Sequence, residues 1–348
     1  MWVEPFSLSL ATPLGTAAGK ITDRRGLLIG LTVEGHQGLG EATPLAGWTE
    51  SYETCRRTLQ SVVQADEMPP NRPDPTETPA AAHSVDLAVC DGRARLANRS
   101  LAEWLHEQFV GSRTPAESVP VNATIGDGDV ETTVAAATAA VEEGFEWLKL
   151  KVGARSVSAD LDRIRAVDRA VGERARIRLD ANGAWSRTEA DRLLSELAVD
   201  IEYLEQPLAA DDLEGLAALR GHGVDIAVDE SLSINSLATI LDAEAADVAV
   251  LKPMALGGPT RTIETAMQAQ SAGLTPTVTT TVDAVVARTA AVHVAAALPE
   301  VSACGLATGS LLSEDLAADP IEISDGHAWL PTGSKRCEQR FDGLWPTE

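Results

Sequence analysis

Five charged residues recur at a near-constant interval through the middle of the chain: Lys151, Asp180, Glu205, Asp229 and Lys252, spaced 29, 25, 24 and 23 residues apart. Each follows a short apolar run, as with Ile177 and Leu179 before Asp180, Leu204 before Glu205, Ile226 and Val228 before Asp229, and Val250 and Leu251 before Lys252. One such residue alone would read as a helix cap or a solvated turn. Five in succession do not arise that way, because unpaired charge presented by buried strands is costly. Three carboxylates with no His or Cys among them suit a hard octahedral cation: Mg²⁺, with Mn²⁺ as an acceptable substitute. Such an ion can hold a substrate carboxylate and stabilise the enediolate formed when the neighbouring carbon loses its proton. That proton needs a base. Lys149 and Lys151, two apart, point to one face of their strand, where like-charge proximity is expected to depress the pKa of at least one of them. Lys252 approaches from the opposite side. The chain has only five lysines against 23 arginines, and three of the five lie here; arginine does not deprotonate and could not serve as the base. No organic cofactor is called for.

The spacing is that of successive βα units, which would bring strand carboxyl ends to one mouth. Eight strands are expected at Val119–Ile125, Trp147–Lys151, Arg176–Asp180, Ile201–Glu205, Ile226–Asp229, Val248–Lys252, Thr275–Thr279 and Ala303–Leu306, with helices such as Val130–Glu143, Ser158–Val171, Thr188–Leu197 and Arg261–Ala272 between them. The expected fold is therefore α/β, a (β/α)8-type barrel over residues 116–320. It is preceded by an α+β capping domain (1–115) and followed by a segment returning to that domain (321–348). In the first part, strands are expected at Phe6–Leu10 and Leu27–Val33 and helices at Tyr52–Gln64 and Pro79–Leu96. The Met68–Pro75 stretch is too proline-rich for regular structure.

The formal charge of −24 argues against nucleic acid and anionic membranes as partners. Excess carboxylate with scarce lysine reads as adaptation to high salt. No apolar run is long enough to span a membrane and the first residues do not read as a secretory signal, so a cytoplasmic location is expected. Cys55, Cys90, Cys304 and Cys337 have no metal-binding spacing and are expected to be reduced.

Lys149-Leu150-Lys151, Asp180-Ala181-Asn182, Glu205-Gln206-Pro207, Asp229-Glu230-Ser231 and Leu251-Lys252-Pro253 together resemble the enolase superfamily, in its muconate-lactonising subgroup, over nearly the whole chain. The resemblance implies that Asp180, Glu205 and Asp229 bind Mg²⁺, that Lys151 abstracts the proton and Lys149 neutralises the substrate carboxylate. It makes Lys252 either a second acid/base or a fixed cation, and Asn182 and Glu230 supporting groups or plain turn and cap residues. Gly40–Glu50, with an exposed Trp48, and Gly305–Leu312 with Asp315-Leu316 are similar to loops of the o-succinylbenzoate synthase family, which would place the first, with Pro13–Lys20, over the barrel mouth. That family implies dehydration of a cyclohexadiene carboxylate to 2-succinylbenzoate in menaquinone biosynthesis. N-acylamino-acid racemase, dipeptide epimerase and cycloisomerase on the same scaffold are the alternatives; Gly305–Thr308 lacks the Asp-x-Asp pair usual in dipeptide epimerases. The partner is then a small-molecule carboxylate, and homo-oligomerisation is compatible with the sequence. The threonines of Thr277–Thr281 are expected to fill strand positions, Trp185 to line the mouth or cover the barrel, and His293 to be packed.

Overall fold

The computed structural model describes residues 1–16, 19–65, 72–111, 114–331 and 341–346. Cys337, Lys335 and Met68–Asn71, with part of the Pro13–Lys20 segment, lie outside the described residues.

The chain opens with a three-stranded antiparallel sheet, β1 (Trp2–Thr16), β2 (Gly19–Val33) and β3 (His36–Ala42). Three helices follow, α1 (Tyr52–Gln64), α2 (Pro79–Leu96) and α3 (Leu101–Phe109). Strand β3 was not anticipated, since His36–Ala42 is rich in glycine, a poor strand former. The glycines are there because helix α2 crosses the strand at backbone distance. A Cβ on Gly38 would lie 1.9 Å from the Ala88 carbonyl oxygen, and one on Gly40 would lie 1.8 Å from that of Ser84. Part of the segment expected as a loop, Gly40–Ala42, is thus buried strand.

Beyond residue 118 the chain runs β4 (Ser118–Pro120), β5 (Ala123–Ile125), α4 (Val130–Glu142), β6 (Trp147–Lys151), α5 (Val157–Val171), β7 (Arg176–Asp180), α6 (Arg187–Glu196), β8 (Tyr203–Glu205) and α7 (Leu213–Leu219). It continues with β9 (Asp225–Val228), α8 (Ser231–Ile234), α9 (Leu237–Asp242), β10 (Val248–Leu251), α10 (Pro253–Leu256), α11 (Pro259–Ser271), β11 (Thr275–Val278) and α12 (Val285–Ala297). Strands β5 to β11 form one parallel sheet in sequential order. Its two edges are joined through the eighth position, where Cys304 bridges Val121 and Gly305 bridges Thr279. The architecture is the expected α/β barrel with a capping sheet. Its eighth unit is reduced to these bridges, and no α-helix follows it among the described residues. The expected first strand is split in two at Val121 and Asn122, where the chain changes hydrogen-bonding partners. Its first half, β4, pairs with the C-terminal hairpin β12 (Glu322–Ser324) and β13 (His327–Trp329). Contact of the C-terminal region with the capping sheet comes later, where Trp345 meets Trp2 edge-on with centroids 5.3 Å apart.

Alternation in the strands sorts the side chains. In β6, Leu148 and Leu150 are fully buried in the main core with Ile164, Val167, Leu179 and Leu204, so Lys149 and Lys151 point into the lumen instead. No helix among the described residues is long and apolar enough to cross a membrane.

Candidate active site

The strand ends converge as the spacing requires. Lys151 is the register partner of Asp180, and Asp180 of Glu205. Glu205 pairs with Ala227, which puts Asp229 two residues farther along its strand, just past the end of β9. Lys252 likewise follows β10. All three carboxylates are buried, Asp180 and Glu205 to 1% exposure.

Each is held by a lysine. Lys149 Nζ donates to Glu205 Oε1 at 2.8 Å and lies 3.0 Å from Asp180 Oδ2. Lys151 Nζ donates to Asp180 Oδ2 at 2.7 Å and to Asn182 Oδ1 at 2.8 Å. Lys252 Nζ donates to both oxygens of Asp229, at 2.5 and 2.6 Å, and the Trp48 ring covers it with its centroid 3.3 Å away. Trp48 is therefore half-buried against a cation rather than exposed. Lys151 differs from the other two lysines: a third of its side chain is open to the mouth.

The electrostatics of the site follow from burial and from the charges that adjoin each group. Burial works against the Lys149 ammonium, but Asp180 and Glu205 outweigh it, and its pKa is held well above the ordinary lysine value rather than depressed by Lys151. Burial also opposes the Asp180 carboxylate, yet Lys149 and Lys151 beside it keep its pKa low. Glu205 goes the other way, raised first by burial and then by the Asp180 charge. Neighbouring acids that repel one another in a dry site are what a divalent cation relieves. The carboxylates are turned onto lysines, and among the described residues no three acids close into a ready cation cage. The fit to Mg²⁺ is one of donor chemistry and register: three hard oxygen donors on successive strands, all buried, with charge to spare.

The backbone around them is specialised. Asn182 and Gln206, each one or two residues beyond a strand-end acid, have φ of +46° and +38°, uncommon for non-glycine residues and typical of sites held by their surroundings. Asn182 is more than a turn residue, because its amide donates to Glu230 Oε1 at 2.9 Å while its oxygen takes Lys151. Glu230 does not cap the helix it precedes. Gln206 was quoted in the sequence motif without a role. Its buried side chain accepts from the Asp229 and Ser231 N–H groups and donates to the Leu208 carbonyl and Ser231 Oγ, clamping two strand exits together. A glutamine before Pro207 was its only sequence signal.

Arg163, fully buried on α5, was also missed. It donates to the Lys151 carbonyl at 3.0 Å, to Gly126 O and Thr133 Oγ1, and pairs with Asp160 at 2.9 Å, so it fixes the exit of the Lys151 strand. Thr277, Thr279, Thr280 and Thr281 are buried and bonded to Ser302, the Gly305 carbonyl, Thr308 and Asp283, respectively. Trp185 is core, and His293 is packed with its Nδ1 accepting from the Ala102 N–H. Asp315 accepts the Val285 N–H and pairs with Arg288, which makes it a support for α12. Cys55, Cys90 and Cys304 are buried and unpaired with one another. A cleft of about 840 Å³ lies elsewhere, between the end of α4 and α12, and contains none of the lysines or strand-end acids.

Residues 132–334 match the protein family described as enolase C-terminal domain-like. The chain belongs to the enolase superfamily. Among its superfamily relatives, chloromuconate cycloisomerase CbnB of Cupriavidus necator is 30% identical over 327 residues, 88% of this chain and 87% of that protein. The o-succinylbenzoate synthase of Thermobifida fusca is 41% identical over 212 residues, 59% of this chain and 64% of that protein. Among solved structures, the dipeptide epimerase from Enterococcus faecalis, complexed with Mg and the dipeptide L-Leu-L-Tyr, superposes with a TM-score of 0.82 at 25% identity, covering 96% of this chain and 97% of that one. Superfamily relatives thus include a cycloisomerase, a lyase and an epimerase, and a Mg-bound member shares the fold.

Proposed function

We propose that the protein is an o-succinylbenzoate synthase, eliminating water from 2-succinyl-6-hydroxy-2,4-cyclohexadiene-1-carboxylate to give 2-succinylbenzoate. The observation carrying this reading is the unequal engagement of the two facing lysines. Lys252 is buried beneath the Trp48 ring and suits a fixed positive charge, while Lys151, with a third of its side chain open to the mouth, suits a base. One base open to the mouth fits an elimination in which proton and hydroxide leave from the same side. A racemase needs two bases on opposite faces.

Asp180, Glu205 and Asp229 would hold Mg²⁺, with the lysines now on them turning to the substrate. When bound, the ion supplies positive charge to the carboxylate oxygens as the adjacent carbon is deprotonated. Neutral Lys151 takes the proton from the carbon bearing the carboxylate, and the C–H electron pair moves toward that carboxylate. Lys149 and Lys252 offset the growing negative charge. The pair then returns to expel the C6 hydroxyl, which takes the proton from the Lys151 ammonium and leaves as water. Aromatisation of the ring drives the step.

Support also comes from the identity to the Thermobifida fusca synthase. An absorbance assay with purified protein and Mg²⁺ in molar salt, following loss of the cyclohexadiene, tests it. Polarimetry of an N-succinyl amino acid runs in parallel. Dehydration with little racemisation is expected. Racemisation without dehydration would keep the lysines and acids but make Lys252 the second base.

A further inference from the structure

Away from the lysines lies a second buried charged cluster, on the seam between the capping sheet and the barrel. Glu41, on β3, is fully buried. Its Oε1 accepts from the Ala284 N–H at 2.8 Å and from the Thr43 hydroxyl at 2.5 Å, and its Oε2 accepts from the Ala287 N–H at 2.8 Å. Helix α12 has alanine at its N-cap position and no side-chain cap of its own, so an acid from another sheet fills that place. Arg24, on β2 and also buried, spans the same two segments: it donates to the Thr43 and Pro44 carbonyls on one side and to that of Val282 on the other. His83 on α2 meets the Glu41 carbonyl at 2.8 Å, and Asp283 is the other acid close to Glu41. Burial, with Asp283 adding to it, pushes Glu41 up to about 7.

A buried carboxylate beside another acid is a costly way to cap a helix. What the arrangement gains is a rigid connection. Thr43–Glu50 carries Trp48, and the run Thr277–Asp283 carries the threonines at the exit of β11. The loop is internally fixed, with the Trp48 and Thr49 N–H groups on the Leu45 carbonyl and the Leu45 N–H on Thr49 Oγ1. Its far end is pinned by the Glu50 carboxylate, which accepts from the Ala80 and Ala81 N–H groups. The near end is tied by Glu41, by Arg24 and by the Thr43 N–H, which meets Met254 Sδ at 3.4 Å just beyond Lys252.

We propose that Glu41 is a positioning residue: it sets the Thr43–Glu50 loop against the exit of β11 and so keeps Trp48 seated on Lys252. The consequence for turnover rests on the function proposed above; the seating of Trp48 does not.

The test is Glu41→Gln in the full chain labelled with 5-fluorotryptophan, the Trp48 fluorine resonance being assigned by Trp48→Phe. Gln is the same size but presents N–H where Ala287 N–H needs an acceptor. The Trp48 resonance is expected to shift or broaden, Mg²⁺ affinity to stay as in the parent, and KM to rise on the order of tenfold with kcat changed less. An unmoved Trp48 resonance in the folded variant would overturn the proposal whatever the activity. If the parent turns over no cyclohexadiene, the functional reading fails while the resonance still decides this one. Should Glu41→Gln not fold, Thr43→Val removes only the hydroxyl link between acid and loop, and the same resonance decides.

Discussion

Replacing Lys252 with Met exposes how the acids are balanced. Both Asp229 oxygens take their hydrogen bonds from Lys252, at 2.5 and 2.6 Å, in a site where the aspartate is 3% exposed. Methionine fills similar volume but leaves that charge without its ammonium, and Trp48 without its cation. Breaking a buried pair by removing one partner costs about 3–5 kcal/mol. The Asp229 carboxyl is already raised above its ordinary value by burial, against the pull of Lys252, and losing the lysine raises it further. A folded-state pKa above the unfolded one means that the folded chain binds more protons. Stability then falls as pH rises, and the penalty is complete only above the folded pKa. Urea denaturation in chelator should therefore show a larger loss at pH 8 than at pH 5. If Asp229 is a Mg²⁺ ligand, the ion takes the place of the lost ammonium. At 100 times its Kd it returns about 2.7 kcal/mol, and at one fixed Mg²⁺ concentration the variant should gain more than the parent. A loss below ~1 kcal/mol, or one that Mg²⁺ leaves unchanged, would refute the reasoning about burial and charge.

Lys151→Ala should keep the fold, because that side chain is a third exposed, and lower kcat by roughly 10²–10⁴; Lys151→Arg should not restore it, and rescue by arginine would remove Lys151 as the base. Arg163→Met strips the Lys151 and Gly126 carbonyls of their donor and leaves buried Asp160 without its cation, so a loss of about 3–5 kcal/mol in denaturant unfolding is expected, and a change within error would contradict that role. Burial lowers His293 to about 4. The unfolded chain takes up that proton first, so stability falls as pH drops from about 6.5 toward 4, by about 3 kcal/mol for this group. His293→Leu should flatten that part of the acid-unfolding curve, and an unchanged slope would count against it. With a formal charge of −24, the melting temperature should fall when salt is removed as the carboxylates repel, and a salt-independent value would argue against that.

The barrel was legible where local pattern and tertiary role agree. Trp147–Lys151 and Arg176–Asp180 were bounded to the residue because apolar and charged positions alternate with period two and a charge closes each strand. The meeting of Lys151, Asp180 and Glu205 follows from that register alone. Strand β3 was hidden because its glycines answer to a helix 50 residues away, not to strand propensity. Gln206 and Arg163 were hidden because what they hold is backbone carbonyl and amide, which leaves no pattern in the sequence. The raised pKa of Lys149 was not legible, since the charged residue nearest to it in sequence is Lys151, whereas its neighbours in space are two acids. Glu41 lies in a segment read as loop, and its partners, Ala284 and Ala287, are over 240 positions away.

The most direct test is turnover of the cyclohexadiene carboxylate by metal-stripped protein as Mg²⁺ is titrated back, with Lys151→Ala alongside. The expectation is no turnover without metal, recovery in the parent as Mg²⁺ is added, and turnover in the variant that stays roughly 10²–10⁴ below the parent at every Mg²⁺ concentration. Turnover indifferent to chelator, or retained by Lys151→Ala, would contradict it.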